Sequence, residues 1–184
     1  MRMRAVLIAA AVVVALTAGW PTLEALLPDT GAAPAGTPLR IGPEDDDSAR
    51  FTLGPGWSVV RAETSPDRSW MLSREGVVMD VAYLTPARGT TPAALWNGLR
   101  DVTRVQDPDA ALSAPAPATT RQGVRGQTGR LRQNGETGTL TVFRSPRGGF
   151  AVLTTVLGGV DATAAARAAA ERATASIAFP GRGR

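Results

Sequence analysis

The stretch Thr128–Leu157 reads TGRLRQNGETGTLTVFRSPRGGFAVLTTVL and predicts three strands in succession. The Asn134-Gly135 dipeptide separates the first two strands, and Asn-Gly is among the stronger short signals for a hairpin. Residues 145–148 (SPRG) supply a second turn of typical turn composition. Because strands joined by tight turns pair with their neighbours, the stretch predicts the centre of an antiparallel sheet.

The chain before this stretch predicts four further strands, of which the first two form a hairpin across a Gly-Pro-Gly turn. Their ranges are Phe51–Leu53, Ser58–Glu63, Ser69–Ser73 and Val77–Thr85. In the fourth strand, Asp80 falls on the face opposite Val77 and Met79, among apolar residues. We expect this aspartate to be covered by a helix or to face solvent, and to pair with an arginine, in preference to acting as a functional carboxylate.

Two helices complete the pattern. Thr91 is a suitable N-cap and Pro92 suits the first turn, so the first helix begins there and ends before Asp107. The second helix is rich in alanine, with Asp161 as its N-cap, and runs through about Ser176.

Residues 109–126 are rich in Ala, Pro, Ser and Thr and predict a long surface connection. Trp57, Trp96 and Phe143 are predicted to be structural residues of the core. The order of four strands, a helix, three strands and a helix predicts an α+β fold. We expect a mainly antiparallel sheet of about six to seven strands with two helices packed on it, behind an N-terminal membrane helix.

The N terminus has the pattern of an export signal. Arg2 and Arg4 precede fifteen residues without a charge, from Ala5 to Gly19, and such a pattern sends the following chain out of the cytoplasm. The short apolar run suits a cleaved signal peptide, whereas its continuation to Leu27 suits a spanning anchor, which we favour. The predicted divisions are an anchor or signal in 1–27, a Pro/Gly/acidic linker in 28–49, an extracytoplasmic domain in 50–180 and a disordered tail in 181–184.

Composition limits the chemistry. The chain has no cysteine and no histidine, which removes disulfides, thiolate metal sites, a lipid-modified cysteine and the commonest general base. From Arg50 onward, 17 arginines stand against 10 acidic residues, a net charge of +7. Outside the cell, this charge favours anionic lipid, wall polymer or an acidic protein over nucleic acid as the partner. No catalytic residue, cofactor site or metal site is predicted.

The candidate binding residues are four arginines. Arg130 and Arg132 alternate along one predicted strand and therefore share a face, while Arg144 and Arg147 lie at or beside the next turn. They predict an electropositive patch for anionic headgroups, wall polymer or an acidic partner. The alternative is a set of solvated surface arginines that reflects coding bias.

Two other functions also stay open: a cytoplasm-facing regulator, which would need the N-terminal anchor to insert in the reverse orientation, and a secreted carboxylate-dependent hydrolase. Two carboxylates suffice to cleave a glycosidic bond. The acidic residues available for such a pair are Glu75, Asp80, Asp101 and Glu136. Nothing in their spacing selects one pair.

A family resemblance rests on packing residues. Phe51, Leu53 and Trp57 form a Phe-x-Leu-x-x-x-Trp start, and together with the order of elements this resembles the PsbP-like sandwich. The Leu-Trp-x-Gly-Leu-Arg segment Leu95–Arg100 is similar to uncharacterised actinobacterial membrane-anchored envelope proteins. The resemblance implies this fold over about Phe51–Phe179 and the role of a non-catalytic binding or accessory module of the cell envelope. It carries no catalytic residue across.

Overall fold

The computed structural model of the chain describes residues 30–43 and 47–180. From Gly31 onward, the described residues belong to one compact unit. The predicted membrane helix in 1–27 and the predicted tail in 181–184 lie outside the described residues. Within the described ranges, no helix has both the length and the apolar character needed to cross a membrane.

The described residues form strands β1–β11, helices α1 and α2, and a 3₁₀ turn at Arg61–Glu63. The first six strands are Thr30–Ala32, Pro38–Ile41, Ala49–Thr52, Ser58–Val60, Ser69–Arg74 and Val77–Leu84. The remaining five are Ala111–Leu112, Ala116–Thr119, Arg125–Gln133, Glu136–Arg144 and Ala151–Gly158. Helix α1 is Pro92–Gln106, between β6 and β7, and helix α2 is Ala164–Ala175, after β11.

Nine of these strands form one sheet in the order β1-β4-β5-β6-β11-β10-β9-β7, with β8 also paired to β9. Every pair from β4 to the β7 and β8 edge is antiparallel. The α+β prediction of an antiparallel sheet with two helices is therefore confirmed. The predicted number of six to seven strands is too low, because short strands also form in segments rich in proline and glycine.

Two of the additional strands lie in residues 109–126, where a long surface connection was expected. Strands β7 and β8 both pair with β9, at its end and at its start, and together make one interrupted edge. Pro117 lies within β8, opposite Gln127. An edge strand has a neighbouring strand on one side only. Proline is therefore tolerated there, because the N–H group that it lacks would have faced solvent.

The path of the chain before β5 also differs from the prediction. Phe51 of β3 pairs with Leu39 of β2 in a separate two-stranded sheet, whereas Ser58 of β4 pairs with Ser73 of β5. The predicted hairpin between the first two strands is wrong, and the Gly-Pro-Gly turn instead carries the chain from one sheet to the other. The described part of 28–49, expected to be a linker, contains β1 and β2.

The large sheet carries a different cover on each side. On the α2 face, one core cluster is buried by helix α2, by the β2–β3 sheet and by Ile177 and Phe179 of the segment after α2. On the α1 face, helix α1 buries a smaller cluster against β9, β10 and β11. Trp57 and Phe143 are buried in the first cluster and Trp96 in the second, so their prediction as structural residues is confirmed.

Both helices begin at a threonine cap. The Thr91 hydroxyl accepts a hydrogen bond from the Ala94 amide at 3.1 Å, as predicted for α1. In α2 the cap is Thr163, which accepts from the Ala166 amide at 3.1 Å, two residues after the predicted Asp161. Thr163 also donates to the Glu75 carboxylate at 2.7 Å, which ties the helix start to the β5–β6 turn.

Candidate functional site

Arg130 and Arg132 lie side by side on β9, and the side chains of both are exposed. Arg130 stands opposite Thr139 of β10 and Arg132 stands opposite Thr137. These four residues, which we call the Arg–Thr surface, share the α2 face with Phe143, because alternate residues of a strand point to one side. Helix α2 packs over β6 and β11 and leaves the Arg–Thr surface accessible.

The other two candidate arginines are placed elsewhere. Arg144 stands opposite Ala151, whose side chain is buried on the α1 face. The guanidinium group of Arg144 donates a hydrogen bond to the carbonyl of Thr90, just before α1. Arg147 is exposed in the β10–β11 turn. The structure thus brings Arg130 and Arg132 together and holds Arg144 on the opposite face.

The guanidinium groups of the Arg–Thr surface have no acidic partner within the described ranges. The ion pairs found there join Arg40 to Asp67 at 2.9 Å and Arg74 to Glu75 at 3.4 Å. Arg130 and Arg132 therefore present their charge to solvent, where an external anion can reach it.

A second candidate site lies on the α1 face, where α1 leaves part of the sheet uncovered. A cavity of about 250 Å³ opens between the helix and strands β5, β6, β9, β10 and β11. We call it the Asp80 cavity, and its lining residues are Met71, Val78, Asp80, Leu99, Val102, Thr103, Gln106, Leu131, Gln133, Leu140, Leu153, Thr155 and Leu157. The lining is mostly apolar, which is typical of ligand sites.

Asp80 lies at the floor of this cavity, between Met71 of β5 and Thr155 of β11 in the strand register. Its Oδ1 atom is buried and has no hydrogen-bond partner among the described residues. Burial, with a smaller contribution from the negative charge of Glu63, raises the pKa of Asp80 from 3.8 to about 6. The expected arginine partner of Asp80 is absent from the described part of the chain.

The other acids considered for a hydrolase do not line this cavity. Glu75 accepts hydrogen bonds from Thr163 at 2.7 Å and Arg74 at 3.4 Å, with the result that its pKa is lowered. Asp101 is exposed on α1. No group of three metal-ligating side chains occurs in residues 30–43 and 47–180.

Sequence reasoning identified Asp80 but not its surroundings. The available signal was in β6, where apolar residues occupy both faces: Val77, Met79 and Val81 on one, and Val78 and Leu84 on the other. A strand that is apolar on both faces indicates a sheet covered on both sides. An acid in such a strand is therefore a candidate for a covered site.

No protein-family model and no curated protein sequence matches the chain. In structure, the chain is similar to cyanobacterial PsbP (CyanoP) from Synechocystis sp. PCC 6803, known from a solution structure. The TM-score is 0.55 at 14% sequence identity, and the match covers 82% of this chain and 96% of that one. The PsbP-like resemblance noted at Phe51, Leu53 and Trp57 is confirmed at the level of the fold.

Proposed function

We propose that this chain is a non-catalytic binding module of the cell envelope, held outside the cytoplasm by its N-terminal segment, that binds an anionic partner through the Arg–Thr surface. The observation that carries the proposal is the pair of exposed guanidinium groups of Arg130 and Arg132, which no described carboxylate neutralises. Arg144 and Arg147 are not required for this surface.

The geometry of the surface suits a partner with repeated anionic groups. Residues two apart along a strand are separated by roughly 7 Å, so the two guanidinium groups can contact neighbouring charges on one partner. Arginine binds phosphate and carboxylate oxygens through two parallel N–H groups. Thr137 and Thr139 add hydroxyl groups beside them, which can donate to the same oxygens.

The location in the envelope rests on the sequence of residues 1–27. The two arginines before the apolar run favour a cytoplasmic N terminus and an external domain. The net charge of +7 from Arg50 onward then favours an anionic lipid headgroup or wall polymer, because a basic surface raises the local concentration of anions. An accessory role is also what the PsbP-like resemblance implies.

Reporter fusions test the location. Alkaline phosphatase, which is active outside the cytoplasm, is fused after Arg184, and a reporter active only in the cytoplasm is fused there in a parallel strain. We expect activity from the phosphatase alone, with the product in the membrane fraction. Activity from the cytoplasmic reporter alone would refute the location, and a soluble product that starts near Trp20 would show cleavage in place of anchoring.

The binding test compares two double variants of the full-length chain in neutral lipid nanodiscs. Arg130→Gln/Arg132→Gln removes the surface pair, whereas Arg88→Gln/Arg104→Gln removes two exposed arginines elsewhere and matches the change in net charge. The probes are a purified teichoic acid and vesicles containing phosphatidylglycerol. Since each exposed ion pair contributes up to about 1 kcal/mol, the surface variant should bind roughly tenfold more weakly.

This binding should weaken as salt rises, because exposed charges are screened beyond about 8 Å at physiological ionic strength. The preferred probe distinguishes a wall polymer from a lipid surface. Equal losses in the two double variants would mean that only net charge matters, and this result would remove the Arg–Thr surface as the site. No binding by the parent chain at low salt would do the same.

A further inference from the structure

The Asp80 cavity has a chemistry opposite to that of the Arg–Thr surface and lies on the other face of the sheet. It combines a mostly apolar lining with one carboxyl group. We propose that this cavity is a second binding site, and that its ligand is a small aliphatic amine whose ammonium group pairs with the Asp80 carboxylate. The inference goes beyond the proposed function and does not depend on it.

The need for a donor comes from Asp80 itself. Its buried Oδ1 atom lacks a hydrogen-bond partner in the described ranges, and leaving a buried acceptor unpaired destabilises a protein. Neither glutamine of the lining donates to this atom, and Gln133 Nε2 instead donates to Gln106 Oε1 at 3.5 Å. An ammonium group brings three N–H donors to such an atom.

The local charge selects a cation over a neutral donor or an acid. Asp80 is the single ionisable residue that lines the cavity, and no arginine lines it. Glu63 of the 3₁₀ turn is near enough to act on Asp80 with its negative charge. A negative potential in a partly enclosed, apolar site attracts a cation more strongly than it would in open water.

The apolar residues of the cavity explain why the amine should carry an aliphatic chain. Val78 and Val102, which both line the cavity, keep 39% and 56% of their surface exposed. An alkyl chain of the ligand lying across these two valines would remove apolar surface from water, which favours binding. The ammonium end would then reach Asp80, next to Val78 on the same face of β6.

The ligand should be small and singly charged. A volume of about 250 Å³ lies below the usual range for drug-sized ligands, which begins at about 300 Å³. The chain from Arg50 onward carries a net charge of +7, so a lysine-rich protein surface would be repelled as it approached. A free monoamine avoids most of this repulsion.

Calorimetric titration of the full-length chain at pH 7.5 tests the inference with three probes of equal length: n-pentylammonium, 1-pentanol and pentanoate. We expect pentylammonium to bind at least tenfold more tightly than pentanol, and pentanoate not to bind. Asp80→Asn should remove the preference for the amine and leave pentanol binding unchanged. Asp101→Asn, which changes an exposed acid of α1 outside the cavity, should behave like the parent chain.

Equal affinity for pentylammonium and pentanol, or a preference that survives Asp80→Asn, would overturn the inference, as would no binding of any probe. Tighter binding of Nα-acetyl-lysinamide than of pentylammonium would assign the site to a partner's lysine and would overturn the choice of a small amine. The Arg130→Gln/Arg132→Gln chain should bind pentylammonium like the parent, so a failure of the amine site is distinct from a failure of the Arg–Thr surface.

Discussion

The two faces of strand β11 show how differently the two halves of the molecule are packed. On the α2 face, Val152, Thr154 and Val156 keep 0%, 1% and 7% of their surface exposed. On the α1 face, the alternating residues Leu153 and Thr155 are only half-buried. One face of β11 thus belongs to a closed core and the other to an incompletely covered surface. The difference depends on the elements that cover each face.

The covering helices explain the difference. The buried positions of α2 are Ala166, Ala169, Ala170 and Ala173, whereas those of α1 are Trp96, Leu99 and Thr103. Since the side chains at the contact set the distance between a helix and its neighbour, we expect the alanine helix to lie closer to the sheet than the helix with Trp96 and Leu99. The Asp80 cavity lies beside the bulkier helix. Helix composition, as well as sheet shape, therefore accounts for a cavity on this face.

The largest effect should come from the closed face. Trp57→Ala removes a side chain that is 2% exposed, and truncating a buried aromatic costs about 3 to 5 kcal/mol. We expect a loss of this size in the free energy of unfolding, measured by urea denaturation. Trp57→Phe should cost clearly less, because it keeps most of the ring contacts and removes a buried N–H without a partner in the described chain. A stable Trp57→Ala protein would contradict the closed packing of this face.

A smaller effect should follow from enlarging a residue of α2. Ala170 is fully buried, and Ala170→Leu should reduce the free energy of unfolding by about 1 to 3 kcal/mol, since overpacking forces neighbours to move. Ala165→Leu in the same helix is the control, because residue 165 is exposed and both changes have the same helix propensity. Equal stability of the two variants would show that α2 does not lie closely against the sheet.

The smallest expected effect lies on the open face, and it depends on pH. A pKa of about 6 in the folded chain, against 3.8 ordinarily, means that the folded state binds more protons between these values. The stability contributed by Asp80 is therefore fully present below about pH 4 and is lost as the pH rises through 6. Asp80→Asn should raise the free energy of unfolding by about 1 to 2 kcal/mol at pH 7.5, allowing for partial solvent access.

This gain should shrink as the pH falls from 7.5 to 4, and Asp101→Asn should show neither the gain nor the pH dependence. Urea denaturation of the parent chain and of Asp80→Asn at four pH values between 4 and 7.5 measures this difference in the free energy of unfolding. A gain that stays constant across this range would show that Asp80 keeps its ordinary pKa and that its carboxyl group is well solvated.

Local signals in the sequence predicted the helices and most of the long strands. Thr91 and Pro92 specify the start of α1 without reference to the rest of the chain. Strands β2 and β8 were not predicted because Pro38 and Pro117 are usually read as strand breakers. Both prolines are accommodated by a two-stranded sheet or an edge, and this property of the tertiary structure is not visible locally.

The division of the four arginines could have been predicted from one turn. The two-residue turn Asn134-Gly135 pairs Gln133 with Glu136, so even residues of β9 stand opposite odd residues of β10. Counting from that pair places Arg144 on the face opposite Arg130. The surroundings of Asp80 could not be predicted in this way, because they combine β5, β11 and α1, which are distant in the sequence.

The interrupted edge formed by β7 and β8 has a consequence for the behaviour of this molecule at high concentration. An exposed strand edge is a template on which a strand of another molecule can add, and such addition leads to aggregation. Here Pro115 and Pro117 supply no amide donors, and the edge is divided into two short strands. An incoming strand would therefore find too few partners at this edge to form a continuous ladder, so strand addition here should be unfavourable.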